Sequence, residues 1–402
     1  MATVARSAAA MPRLVANRIT TDGLRPEPAG DASRRRAAPI WGVLGALLLA
    51  VPCGAQTPQV APTPPDFPRG RISGYVFGDY YYNLSGNPDH RYNAAGSDSD
   101  KVNIDNSIAQ QIGKDLNGFQ IRRIYLQLDN DLSIRYSSRV RLEADGKSLT
   151  SDGKIGVAVR AAYLQVRSVY RRADVLFGVL STPIWETSED FWQYRSIEKT
   201  LADFRGLGGS ADVGAEIKGY LDGDRRLGYV VMVGNGLGQK PEDNRYKKFY
   251  LGLPVRVGDL RVEAYADYED ASGDQDRATF KGFAGYEFGR GAIGVEVVDR
   301  VNHRPGGNLE AFGVSVFARA TPRPTVAGFA RVDLWRPDRR LADRVDSQLW
   351  IAGLDWQPFQ DVHVMPNIEA TRFDARGTAI APTHDELQAR LTVYYKFARP
   401  QS

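Results

Sequence analysis

Between residues 133 and 145 the chain alternates (SIRYSSRVRLEAD). Ile134, Tyr136, Val140, Leu142 and Ala144 occupy even positions, and Arg135, Arg139, Arg141, Glu143 and Asp145 occupy odd ones. Successive side chains of an extended strand point to opposite faces, so a period of two predicts a strand with one apolar and one polar face. The thirteen residues of this run exceed the five or six of an average globular strand. A second run sets Leu260, Val262, Ala264, Ala266 and Tyr268 against Arg261, Glu263, Asp267 and Glu269. A third carries Leu387, Ala389, Leu391, Val393, Tyr395 and Phe397 on one parity.

Weaker alternation fills the rest. The pattern predicts sixteen strands, near 72–82, 119–129, 133–145, 155–168, 174–181, 211–222, 227–235, 247–257, 259–269, 278–289, 291–301, 310–320, 324–335, 347–357, 361–373 and 385–397. The links sort into two classes. Those after even-numbered strands are tight turns such as Asn130–Leu132 and Gly258; those after odd-numbered strands are mostly long, as at 83–118 and 182–210. Short turns at one end and long loops at the other mark outer-membrane barrels. A barrel of sixteen strands encloses a lumen too wide for side chains to fill, so its polar face lines water and its apolar face meets lipid. The expected fold is therefore all-β: a transmembrane antiparallel up-and-down β-barrel of about sixteen strands with an inward-folded constriction loop. Tyr80, Tyr82, Tyr286, Phe288, Trp335, Phe373, Tyr395 and Phe397 stand near strand ends and are expected to form interfacial girdles.

The N-terminal segment changes the charge picture. Arg34–Arg36 precede a short apolar run, Ile40–Val51, and small residues up to Ala55 follow. This is a signal-peptide pattern, too short to span a bilayer as a helix. Residues 1–55 read as a signal peptide with an over-extended start, 56–69 as a proline-rich periplasmic linker, 70–397 as the barrel and 398–402 as a short C-terminal tail. Cys53 beside Leu49 hints at lipidation, against which stands Pro52 where a small residue is needed. With seven arginines and three acids in the leader, the remainder carries 45 basic and 45 acidic residues. A balanced charge gives no reason to expect a nucleic-acid partner. The one cysteine lies in the leader, which excludes a disulfide scaffold.

Catalytic patterns are absent. The four histidines, His90, His303, His363 and His384, have no metal-ligand spacing, and no cofactor is expected. Gly289, Gly291 and Gly294 mimic a dinucleotide fingerprint, but strands flank them, so a hairpin turn is expected. Asp98, Asp100 and Asp105 with Asn103 lack calcium-loop spacing. The loop Pro183–Gly209 is the most informative link. It combines Trp185, Phe191, Trp192, Tyr194 and Phe204 with five acids and three bases. That load suits a loop folded into a lumen, and Glu189, Asp190, Trp192, Arg195 and Lys199 are its candidate constriction residues. Arg123, Arg135, Arg139, Arg141, Arg261, Arg331 and Arg390 are candidate channel-lining cations, since charge at a constriction sets ion preference. The rival reading is a secreted or periplasmic all-β carbohydrate-binding protein.

Several motifs, in order, resemble the phosphate-selective porin O and P family of Gram-negative outer membranes. They are FQIRRIYLQLDNDLSIRYSSRVRLEAD, AAYLQVRS, VLFGVLSTPIWETSED, DVGAEIKGYL, YVVMVGNGLG and GFARVDLW, within roughly residues 70–397. The resemblance implies a sixteen-stranded homotrimer in the outer membrane, a pore narrowed by its third long loop, and passive uptake of small hydrophilic solutes or anions, phosphate among them. No enzymatic activity is implied.

Overall fold

The computed structural model describes residues 67–88, 112–273, 275–377 and 383–400. The expected leader, nearly all of the linker and the Asp98–Asp105 cluster lie outside them. Sixteen strands follow one another: β1 Arg69–Ser85, β2 Asn117–Asp131, β3 Tyr136–Leu149, β4 Ile155–Tyr170, β5 Ala173–Ser181, β6 Ala211–Tyr220, β7 Gly228–Gly234 and β8 Lys248–Val257. The second half comprises β9 Leu260–Glu269, β10 Arg277–Phe288, β11 Gly291–Asn302, β12 Leu309–Arg323, β13 Val326–Arg336, β14 Arg344–Phe359, β15 Val362–Arg376 and β16 Glu386–Pro400. Two helices, α1 Pro183–Trp192 and α2 Leu201–Phe204, interrupt the series between β5 and β6.

Each strand pairs antiparallel with the next, and β1 closes the barrel on β16, from Arg71 opposite Pro400 to Ser85 opposite Leu387. Closure leaves no edge strand, so the backbone polar groups are satisfied within the sheet, as a lipid environment demands. The predicted strand number and loop sorting both hold. Described turns after even strands are short, such as 171–172, 258–259, 289–290 and 360–361, whereas 182–210 and 235–247 follow odd ones. The GRGAIG segment makes the β10–β11 hairpin, with Gly289 at φ 51° in the left-handed region that the turn requires. β16 continues to Pro400, three residues beyond the expected end of the barrel.

The alternation maps onto two surfaces. Leu126, Leu128, Val140, Leu260, Val262, Ile293, Val316, Leu334, Leu391 and Val393 are exposed on the outside. Asp79, Gln127, Asp145, Glu263, Lys281, Glu296, Arg331 and Asp333 share the inner register and are buried. Such a surface is stable only against lipid. Tyr80, Tyr82, Tyr286, Phe288, Tyr395 and Phe397 lie outward near strand ends, as expected of girdles. Trp335 and Phe373 do not. Trp335 shares the parity of Arg331 and Asp333 and is buried among inner-face residues, while its neighbour Leu334 points out. Phe373 stands on the parity of Met365 and Asn367, which are also buried on the inner face.

Among the irregularities of the described sheet, two bulges bear on the segment between β5 and β6. Phe77 pairs with Arg123 but Gly78 pairs with Ile121, leaving Arg122 as an extra residue in β2. Arg141 pairs with Ala161 but Leu142 pairs with Val159, leaving Arg160 extra in β4. A bulge re-aims the side chain at the insertion. Here it brings Arg122 and Arg160 to the inner face, where both contact the segment 182–210.

Candidate functional site

The long link between β5 and β6 lies inside the barrel. Its ends are drawn together: the Thr182 hydroxyl donates to the Gly209 carbonyl at 2.5 Å, and the Trp185 indole donates to the Ser210 carbonyl at 3.1 Å. Pro183 opens α1, where a missing N–H costs nothing, and Gln193 ends it in the left-handed region at φ 66°. Ile184, Ser188 and Phe191 recur at helical spacing and are buried, so they define the face that meets the wall.

The wall is shaped for that face. Phe191 sits 5.5 Å from Phe283 and 6.2 Å from Phe317, ring centre to ring centre. A side chain at Gly285 would place its Cβ 2.7 Å from the Phe191 ring. Beneath α2, a Cβ at Gly313 would come within 2.9 Å of Leu201. Trp192 packs edge-on against Phe317 at 5.2 Å, and Tyr194 lies 4.2 Å from Phe329.

Charged wall residues then hold the loop's polar backbone. Lys281 donates to the Ile184 carbonyl and pairs with Glu263 at 2.6 Å. The Ala202 N–H donates to Glu296 at 2.9 Å, and Arg300 donates to the Leu207 carbonyl at 3.1 Å. Arg331 donates to the Lys199 carbonyl while its fork grips Asp333. From the other wall, Arg122 binds Glu198 at 3.0 Å, and Arg160 donates to the Ser210 carbonyl at 2.6 Å beneath the Trp185 ring. A buried backbone carbonyl without a donor is costly, so these cations fix the segment across the lumen.

With a closed barrel and a folded segment spanning its interior, the architecture can be compared with solved structures. No protein-family model and no curated protein matches the sequence. The anion-selective porin from Comamonas acidovorans is similar over 82% of this chain and 99% of its own, with 12% identity and a TM-score of 0.59. The outer membrane channel DcaP of Acinetobacter baumannii is similar over 82% of this chain and 97% of its own, with 13% identity and a TM-score of 0.59. OmpF of Salmonella typhi, solved with daunomycin, is similar over 82% of this chain and 97% of its own, with 11% identity and a TM-score of 0.55. The fold is that of the outer-membrane porins.

On this porin fold the predicted residues divide by what they touch. Arg123 lies between Glu143 at 2.8 Å and Asp145 at 2.7 Å. Arg139 pairs with Asp129 at 2.6 Å, and Arg141 donates to Gln127 at 2.6 Å with its guanidinium over Tyr125. Arg261 is 3.6 Å from Glu287 and lies over Phe191. Arg390 is buried and pairs with Glu369. Arg331 is 1% exposed and spends its donors on Asp333 and on the Lys199 carbonyl of the loop, so it is a latch for the segment rather than an open surface for solute. Arg135 is in the β2–β3 turn, one residue before β3, and not beside Arg139 within the wall. The alternation ran on through the turn, which hid the strand boundary.

Within the loop, Glu189 pairs with Arg195 at 2.9 Å, and Lys199 pairs with Asp203 at 2.9 Å. Asp190 is exposed. Trp192 is fully buried and donates to the Glu198 carbonyl at 3.0 Å, so it anchors the loop instead of facing the passage. Glu186 is half-buried beside Lys218, Glu216, Asp190 and Glu263, and burial pushes its carboxyl up to about 7. Strand-by-strand alternation missed Arg122 and Arg160. A signal exists: the apolar parity in β2 changes from Phe119 and Ile121 to Ile124 and Leu126, and in β4 from Val157 and Val159 to Leu164. Among the described residues no cluster of His, Cys, Asp and Glu could hold a metal ion.

Proposed function

We propose that this protein is an outer-membrane diffusion porin, working as a homotrimer, that passes small hydrophilic solutes down their gradients with a weak preference for anions. One observation carries the reading: a polar lumen crossed by a segment that is packed and hydrogen-bonded to both walls. A carbohydrate-binding barrel has no need of an apolar exterior. The cations lining the lumen favour anions, but the nearby carboxylates of Asp129, Glu143, Asp145 and Glu189 offset much of their field. This supports weak anion preference over dedicated phosphate selectivity, which needs a denser set of cations free of acidic partners. The anion selectivity of the Comamonas acidovorans porin agrees with that direction.

Planar-bilayer recording of the purified protein tests the reading. We expect stepwise conductance and, in a potassium chloride gradient, a reversal potential displaced toward the chloride equilibrium value. Absence of steps, or a displacement toward potassium, refutes it. Phosphate replacing chloride without a gain in permeability excludes a dedicated phosphate pore.

A further inference from the structure

Four inner-face residues form adjacent pairs across three strands. Tyr75 of β1 stands opposite Tyr125 of β2, and Gln127 of β2 stands opposite Arg141 of β3. On the other side of β1, Tyr75 stands opposite Lys396 of β16. Between them lies a cavity of about 240 Å³ lined by Ser73, Tyr75, Tyr125, Gln127, Arg141 and Lys396. That volume is below the roughly 300–1,000 Å³ of pockets for drug-sized molecules, so it suits a solute of one ring.

The wall is aromatic. The Tyr75 ring is 4.5 Å from Tyr125, 5.9 Å from Tyr394 and 6.3 Å from Phe77, centre to centre. The polar groups are incompletely used. Arg141 spends its Nε on Gln127, and among the described residues neither Nη has an acceptor and no carboxylate pairs with it. The Tyr75 hydroxyl likewise has no described partner. Around them Asp129 is shared by Arg71 and Arg139, and Asp361 is paired with Lys396. Among the residues that line the cavity, Arg71, Arg141 and Lys396 face the single carboxylate of Asp361.

We propose that this cavity is a solute-recognition site for a one-ring aromatic carboxylate. The ring lies on the Tyr75 face, where offset stacking favours a flat partner. The carboxylate takes the free fork of Arg141, a planar two-pronged donor matched to two oxygens. The Tyr75 hydroxyl is a further donor. Phosphate would use the fork but leave the aromatic wall dry and unmatched. A neutral sugar would leave the excess positive charge unanswered. The site deepens the channel reading, on which its role in permeation rests. A pore needs such sites to be weak, so that solute enters and leaves.

The test uses the purified protein in planar bilayers at neutral pH, with benzoate, cyclohexanecarboxylate, acetate and phosphate added to a chloride current. Each block is normalised to the same channel's own chloride conductance. We expect saturable block by benzoate at about tenfold lower concentration than acetate, the gain of roughly 1.4 kcal/mol that a tenfold ratio represents. Cyclohexanecarboxylate and phosphate should be weaker than benzoate. Arg141→Gln should weaken the benzoate block about tenfold, as expected when a charge-assisted bond is lost. Tyr75→Leu should weaken benzoate and spare acetate. Benzoate no better than acetate or phosphate, or block unaltered in both variants, overturns the proposal. If the barrel conducts no ions, the channel reading fails separately. Benzoate titration of the detergent-solubilised barrel, followed calorimetrically in parent and variants, then still decides the site.

Discussion

Arg261, Val262 and Glu263 are consecutive residues of β9 with three different surroundings. Val262 is 37% exposed on the outer face. Arg261 and Glu263 both turn inward, as the period of two requires. Arg261 keeps 27% of its side chain open to the lumen. Glu263 is 3% exposed because α1 covers it, with Thr187 at 2.5 Å and Lys281 at 2.6 Å. The sequence could therefore say which way Glu263 points, but not that a loop distant along the chain would seal it from water. We expect a cysteine at position 261 to react with a water-soluble thiol reagent in membranes, and cysteines at 262 and 263 to resist it. Brisk reaction at 262 would overturn the outward register. A lysine at 262 should destabilise the barrel by about 2–4 kcal/mol if that position lies near the bilayer midplane. Arg122 and Arg160 show the other limit at this scale. Each is an inserted residue, and reading one strand with a single parity assigns it to the wrong face.

At the scale of elements, strands were legible because most of them repeat the same two-residue pattern for ten residues or more, with only β5 and β7 shorter. The segment 182–210 was legible only in part. Its load of aromatic and charged residues pointed inward, but its helices were not read. Ile184, Ser188 and Phe191 after Pro183 carry the helical spacing, in a stretch too short to dominate the surrounding β signal. What seats α1 is the absence of side chains on the wall. Gly285→Val should therefore unseat Phe191, cost about 1–3 kcal/mol by overpacking, and raise the single-channel conductance. Unchanged conductance with the barrel intact would show that α1 does not limit the passage. Glu186 gives the same element a pH response. An ordinary glutamate titrates near 4.5, but here burial raises it to about 7. The folded loop thus holds a proton that the unfolded chain releases. Its contribution to seating is fully present below about 4.5 and is lost as pH rises through about 7. Above that range α1 also gains a negative charge near Glu216, Glu263 and Asp190, which Lys218 only partly offsets. Anion preference should accordingly fall between about pH 6 and pH 8. Glu186→Gln should flatten that part of the reversal-potential profile; a profile identical to the parent's would assign the response to another group.

For the whole molecule, the balance of 45 basic and 45 acidic residues outside the leader means that selectivity must come from placement. Exposed charges further apart than about 8 Å at physiological salt are largely screened. Only side chains bordering a narrowed passage act on an ion within it. The segment 182–210 provides the narrowing, and Glu189 and Arg195 within it stand in electrostatic reach of Tyr75 on the opposite wall. Arg139 and Arg141 lie on that same wall, two residues apart on one face of β3. Their partners differ in a way that matters: Arg139 is neutralised by Asp129, whereas Arg141 donates to the amide of Gln127, lies over the Tyr125 ring and, among the described residues, pairs with no carboxylate. Replacing both with glutamate does more than remove two positive charges. It leaves Asp129 with Arg71, at 3.3 Å, as its remaining cation beside the Gln127 amide, and adds two carboxylates to a row that already holds Glu143 and Asp145. In a potassium chloride gradient the reversal potential of the Arg139→Glu, Arg141→Glu variant should cross from the chloride side to the potassium side. Arg141→Gln alone should move it part of the way, and more than Arg139→Gln does, because the unpaired charge supplies the larger field in the lumen. A double variant that keeps the parent's reversal potential while retaining a folded barrel would show that these arginines solvate the wall without filtering ions, and the anion preference would have to be sought at Arg195 and Lys199 on the loop.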